Sequence, residues 1–354
     1  GINYGNNSGM AVTSMGNNTL TWETADQYDF GFDLGFWNGK LNMIADVYLK
    51  NTNNLLYSMP LHGTSGFTSI TNNIGSMRNY GVEFSINGHM NLGKVNWTSS
   101  FNISHNKNKL TKLLGDDLLP IGSNRALKVG EELGAFYLFQ MDGIYQYDGE
   151  VPQPLYDLGV RAGDVKYHDV DNNGIINDSD RVLTGSSNPD FFGGWNNTFK
   201  YKGFQLDVFF TYMYGNDVYA EWAVTATRPG YRMAITEDAA KNRWTAPGSS
   251  NKYPRAVNTL CGHNSKNSTR FLEDGSFIRL RSLTFSYTFP QVMLQKIRMK
   301  GLRLHVQGDN LLLFSKYSGW DPEVSKNMDP QYFGVDLYGV PPSRSVNFGI
   351  NLSF

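Results

Sequence analysis

Apolar and polar side chains alternate strictly between residues 27 and 36. Tyr28, Phe30, Phe32, Leu34 and Phe36 stand against Gln27, Asp29, Gly31, Asp33 and Gly35. Asn38-Gly39 follows, a pair that suits a type I′ hairpin turn because both residues tolerate positive φ. The alternation then resumes as Leu41, Met43, Ala45, Val47 and Leu49 against Lys40, Asn42, Asp46 and Lys50, with Ile44 and Tyr48 as exceptions on the polar face. A side-chain period of two means a β-strand with one apolar face, so these two runs predict a hairpin. The same period recurs at 82–90, 95–104, 195–201, 204–212, 283–289, 302–307 and 346–354. About nine strands of roughly 9–13 residues result. Strands in soluble domains average about 5–6 residues, whereas tilted strands that cross a bilayer need about 9–11.

The connections alternate as well. Short turns are expected at 38–39, 91–94 and 202–203, with a somewhat longer one at 290–301. Long loops are expected at 54–76, 108–190, 215–275 and 311–343. Short turns at one end and long loops at the other are the pattern of a transmembrane barrel, with the long loops extracellular. The fold class expected is therefore all-β, an antiparallel transmembrane β-barrel segment. Phe30, Phe32, Leu34, Leu41, Val47, Phe84, Phe101, Phe210, Phe285 and Phe348 are expected on its lipid face, and Asp29, Asp33, Asp46, Glu83 and Asp207 on its lumen face. Alternation by itself also fits a half-buried soluble sheet. The competing readings are a secreted or surface β-sandwich that binds glycan and carries a calcium-stabilised loop, and a passive porin.

Nine strands leave an open edge, which lipid does not tolerate. The 354 residues are thus expected to be the C-terminal portion of a larger barrel, with earlier strands before Gly1.

Composition narrows the function classes. Basic and acidic residues number 31 and 32, a net charge of −1, which argues against nucleic-acid binding through phosphate neutralisation. A single cysteine, Cys261, excludes a disulfide framework. No apolar run reaches the roughly 18 residues of a membrane-spanning helix, and the first ten residues lack the features of a signal peptide.

The sharpest local motif is DVDNNG at 169–174 with Asp180 at the twelfth position. It matches a calcium-loop pattern. Asp169, Asp171, Asn173, the Ile175 carbonyl and Asp180 would supply the oxygen ligands at about 2.3–2.6 Å that Ca2+ requires, with Gly174 at the sharp turn. Asp180 replaces the usual Glu and reaches less far. The flanks look extended, and Ile176 is placed to anchor the loop. The plainer reading is an Asx-rich turn without an ion.

Catalytic constellations are lacking. The six histidines follow no metal-binding spacing, and the Asp116-Asp117 and Glu131-Glu132 pairs lie in loop sequence. The protein is read as a non-enzyme. The loop at 215–275 holds Trp222, Arg228, Tyr231, Arg232 and Trp244, and the last long loop holds Trp320 and Tyr332. Aromatic faces and guanidinium groups suit contacts to a glycan, a peptide or a partner protein. The same residues equally suit small loop cores. A short helix is expected at 237–243.

Longer stretches resemble the SusC/RagA-type TonB-dependent outer-membrane transporters. They are LTWETADQYDFGFD at 20–33, DVYLKNT at 46–52, NYGVEF at 79–84, FNISHNKNKL at 101–110, GDVKYHDVDNNGIINDSDR at 163–181, NPDFFGGW at 188–195 and FIRLRSL at 277–283. The resemblance runs from about residue 20 to the end. It implies the outer membrane of a Gram-negative bacterium, a complete barrel of about 22 strands, and active import of glycans, oligosaccharides or peptides. It also implies a SusD-like surface lipoprotein as partner and the TonB complex as energy source, coupled through a plug and TonB box that have no counterpart here. The chain ends on the alternating set Val346, Phe348, Ile350, Leu352 and Phe354. A terminal aromatic strand resembles the signal read during outer-membrane barrel assembly, which gives Phe354 a candidate targeting role.

Overall fold

The computed structural model describes residues 2–4, 7–9, 15–115, 118–230, 233–257, 262–295, 298–328 and 332–354. Its dominant feature is one antiparallel sheet of nine strands in which neighbours in sequence are neighbours in space. The strands are β1 (Thr24–Phe36), β2 (Leu41–Pro60), β3 (Ser69–Leu92), β4 (Val95–Leu113), β5 (Phe191–Tyr201), β6 (Phe204–Tyr214), β7 (Phe277–Thr288), β8 (Gly301–Ser315) and β9 (Ser345–Ser353). This up-and-down order follows from the short turns. Asn38 and Gly39 take φ of 58° and 80°, and the Lys40 amide donates to the Trp37 carbonyl, as the hairpin signal requires.

Register places the expected residues on two faces. Phe30 pairs with Val47, which pairs with Val82; Phe84 pairs with Ile103; Phe101 pairs with Trp195, which pairs with Phe210; Phe285 pairs with Val306, which pairs with Phe348. All ten residues expected on the apolar face share it. No second sheet covers it among the described residues: Phe30 is 72% exposed and Phe348 82%. That exposure removes the sandwich reading, in which this face would be the core. One of the two exceptions, Tyr48, also has a reason. Tyr48 lies on the opposite face beside Gly81, where a Cβ would come within 2.6 Å of its hydroxyl, so ring and glycine fill one space.

Two expectations need correction. The strands β2, β3 and β4 run for 20, 24 and 19 residues, well beyond the expected length. The long loop expected at 54–76 therefore shrinks to residues 61–68. Here the sequence turns polar and Asn-rich, so alternation is lost, yet backbone pairing continues from Leu55–Gly75 to Pro60–Ser69. Leu55, Tyr57 and Met59 pack with buried Ile74, Leu110 and Leu127, which stabilises the extension. The outward row also holds His105. It sits on the apolar face opposite Val82, where its ring bonds the Asp190 carbonyl and leans on Phe191.

Among the described residues β1 pairs only with β2, and β9 only with β8. The molecule's buried core lies at the long-loop end. The loops at 114–190, 215–276 and 316–344 interlock there. Phe136 and Leu138 from the first, Val218, Tyr219 and Phe271 from the second, and Tyr317, Val324 and Val335 from the third form one cluster. A second cluster, including Phe139, Tyr145, Leu155, Val165, Tyr167 and Ile176, lies within the first loop.

Candidate functional site

The acidic loop follows the short strand Val165–Tyr167 and ends in the 3-10 turn Asp178–Asp180, without flanking helices. Ile176 is 8% exposed and belongs to the second loop cluster, so it anchors the loop as its position suggested. Carboxylate oxygens of Asp169, Asp171 and Asp180 lie within 4.8 Å of one another. The local sequence builds this. Asp169 accepts the amides of Gly174 (2.7 Å) and Asn173 (3.2 Å), and Asp171 accepts the Asn173 amide (3.1 Å). The Asn173 side chain in turn accepts the Ile175 amide (2.7 Å). Gly174 has φ of 78°, so a side chain there would be strained. Asp180 is fully buried, and its two oxygens accept the Val170 and Asn177 amides at 2.9 and 2.8 Å.

These amides hold the oxygens convergent. Partial desolvation opposes ionisation of Asp169, but the amides of Gly174 and Asn173 outweigh it and hold its carboxyl below the usual range. Asp180 also closes a capping box with Asn177, so its short side chain is committed to the turn as well as to the cluster. All the donors are hard oxygens, which fits a calcium ion.

The aromatic and basic candidates divide differently. Trp222 is half-buried against the shared loop cluster and donates through Nε1 to Tyr317 Oη at 3.0 Å. Tyr332 packs on the same cluster. Trp244 covers Gly163 and donates to Gln146 Oε1 at 3.1 Å. Arg228 contacts Ser265 Oγ at 3.4 Å. Trp222 and Tyr332 thus pack on one loop cluster, and Trp244 packs against the first long loop. Trp320 differs, at 81% exposed. Tyr231 and Arg232 lie outside the described residues, as do Asp116, Asp117 and Cys261. The short helix appears as Glu237–Asn242, capped by Thr236, whose side chain accepts the Ala239 amide.

Several structuring residues had no sequence signal. Asp164, 2% exposed, receives Arg255 Nε and Nη2, each at 2.9 Å, and Asn264 Nδ2 at 2.8 Å. Arg279 on β7 and Asp321, both 3% exposed, pair at 2.6 Å, and Glu323 bridges Arg279 and Arg281 at 3.0 Å each. Tyr317 donates to buried Asp336 at 2.7 Å; burial first, then this carboxylate, raises the phenol well above its ordinary value. Each partner lies on a different loop or far along the chain, so no local spacing announces it. A cavity of about 390 Å³ opens between the upper ends of β2–β4 and the loops, lined by Leu56, Tyr57, Asn79, Asn108, Arg125 and Leu133 among others.

Comparison with known proteins is consistent along the whole chain. A family model described as "TonB dependent receptor-like, beta-barrel" matches residues 1–311. The chain is 33% identical to TonB-dependent receptor P3 of Formosa agariphila over 98% of its own length and 36% of that relative. It is 29% identical to TonB-dependent receptor SusC of Bacteroides thetaiotaomicron over 96% of its length and 32% of that relative. A solved structure described as the RagAB peptide transporter superposes with a TM-score of 0.83 at 26% identity, covering 99% of this chain and 38% of that one. The chain therefore spans about a third of the length of these relatives.

Proposed function

The chain belongs to the TonB-dependent receptor-like β-barrel family, and on that premise we propose that it is the C-terminal barrel segment of an outer-membrane importer in a Gram-negative bacterium. The observation that carries this reading is the register. It gathers the aromatic and aliphatic side chains of nine strands on one uncovered face, which water would disfavour and lipid accepts. The open edges of β1 and β9 would be closed by further strands, because unpaired backbone groups are costly in lipid. With the short turns periplasmic, the interlocked loops lie outside the cell.

The substrates proposed are oligosaccharides or peptides. A SusD-like lipoprotein would act as surface partner, and the TonB complex would act through parts of the protein outside this chain. The likeness to a structure described as a peptide transporter supports the peptide class of cargo. Exposed Trp320 and the loop cavity are the contacts proposed for substrate or partner. We assign no enzymatic role. The acidic loop is proposed to hold Ca2+ through Asp169, Asp171, Asn173, the Ile175 carbonyl and Asp180, stiffening the loop between β4 and β5.

The test is energy-dependent uptake. Cells with and without the complete gene are given labelled oligosaccharides or oligopeptides, with and without a protonophore. Loss of uptake of one class on deletion, and on uncoupling, supports import. Uptake that is unaffected by uncoupling points to the passive-porin alternative.

A further inference from the structure

The uncovered apolar face ends, at the long-loop side, in a cluster of cations. On β3 the outward positions are Met90, Ile86, Phe84, Val82 and Tyr80, and the next one is Arg78. On β4 they are Phe101, Ile103 and His105, followed by Lys107 and Lys109. Register makes Arg78 and Lys109 direct cross-strand partners and sets Lys107 opposite Tyr80. Like charges directly opposed weaken a sheet, so the arrangement has a cost that the fold alone does not explain. Arg78 donates to Asn51 Oδ1 at 2.9 Å, and among the described residues neither it nor Lys109 has an ion pair. Among the described residues Lys107 makes two ion pairs, to Glu132 at 3.9 Å and Asp190 at 3.8 Å.

The height of the cluster matters most. The path from Met90 to Tyr80 is roughly 33 Å along a strand at about 3.3 Å per residue. At a tilt of about 40° this crosses about 25 Å, the height of the apolar band of an outer-membrane barrel. Tyr80 and, two strands away, Tyr28 then lie at the interface where amphipathic rings belong. Arg78, Lys107 and Lys109 fall at or just beyond the upper rim of the band, facing outward.

We propose that Arg78, Lys107 and Lys109 bind the phosphate groups of an anionic glycolipid of the outer leaflet, whose acyl chains lie along the apolar face below. Charge complementarity selects the headgroup, and the adjoining Val82 and Phe84 select a lipid over a free anion. The inference rests on the membrane reading above, and the two are separable by experiment.

The complete protein is purified in detergent, and its binding of lipid A is measured by native mass spectrometry. Three arms compare phosphorylated lipid A, dephosphorylated lipid A, and phosphorylated lipid A with excess inorganic phosphate. The variant Arg78→Gln/Lys107→Gln/Lys109→Gln is compared with Lys200→Gln/Lys202→Gln at the short-turn end. The expected result is binding that needs the lipid phosphates and drops on the order of a hundredfold in the triple variant, with the control variant unchanged and inorganic phosphate a poor competitor. Equal binding of both lipid forms, an unaffected triple variant, or full competition by inorganic phosphate would each overturn the proposal. If the triple variant does not assemble, the comparison of lipid forms on the wild-type protein still decides. Heat-modifiable migration and outer-membrane fractionation test the membrane reading independently.

Discussion

Asp171 shows how little separates an ordinary turn from an ion site. Its carboxylate accepts the Asn173 amide and lies in reach of Asp169 and Asp180. Asp171→Ala removes one of the proposed calcium ligands while leaving the amide contacts of Asp169 and Asp180. Isothermal titration with CaCl₂ should then lose its signal. Calcium at about a hundred times its Kd should stabilise the wild-type protein by about 2.7 kcal/mol and leave the variant unmoved. No calcium response in the wild type would return the loop to an Asx-rich turn. His263 offers a test of opposite character. Burial first of all lowers its pKa from 6.5, while a hydrogen bond from Nε2 to the Val165 carbonyl opposes the shift. The unfolded chain therefore takes up the proton before the folded one does. Stability from the neutral ring is complete above the ordinary value and is lost as pH falls through the lowered one. Protease resistance of the loops should decline as pH falls below the ordinary histidine value of 6.5, and His263→Gln should flatten that decline.

Among the elements, β7 and the last long loop depend on one buried charge. Arg279→Ala leaves Asp321 and Glu323 without their shared partner. Breaking a buried pair costs about 3–5 kcal/mol, so limited proteolysis should cut first within residues 316–344. Unchanged cleavage would mean the loop is held by Tyr317 and Asp336 instead. On β5, Gly193 has no room for a side chain: a Cβ would lie 2.1 Å from the Asn102 carbonyl oxygen and 2.7 Å from the Tyr212 hydroxyl. Gly193→Ala should reduce the heat-modifiable, assembled fraction, because Tyr212 must leave its bond to that carbonyl. The sequence could not distinguish this glycine from those in turns, since the obstruction comes from strands on both sides.

At the scale of the whole molecule, β9 continues the outward row through Val346, Phe348, Ile350 and Leu352. Phe354, 77% exposed, follows in the same alternation. Its proposed role in assembly predicts that Phe354→Asp lowers the amount of surface-exposed protein in the outer membrane. Normal levels of that mutant would remove the role. The nine-strand order, the sharing of faces and the short turns were all legible in the sequence, because a period of two and Asn-Gly or Lys-Gly pairs are local signals that each strand carries for itself. The convergence of Asp169, Asp171 and Asp180 was legible for the same reason, all three lying within twelve consecutive residues. The rest required tertiary structure. The length of the β2–β3 hairpin rests on packing of Leu55 and Tyr57 against Leu110 and Leu127. The burial of Trp222 and Trp244 rests on partners from other loops, Tyr317 and Gln146. The pairing of Asp164 with Arg255 and of Arg279 with Asp321 joins residues 91 and 42 positions apart. Outside the apolar band no periodic pattern has to be kept, so those contacts are chosen by shape and charge in three dimensions and leave no repeat along the chain.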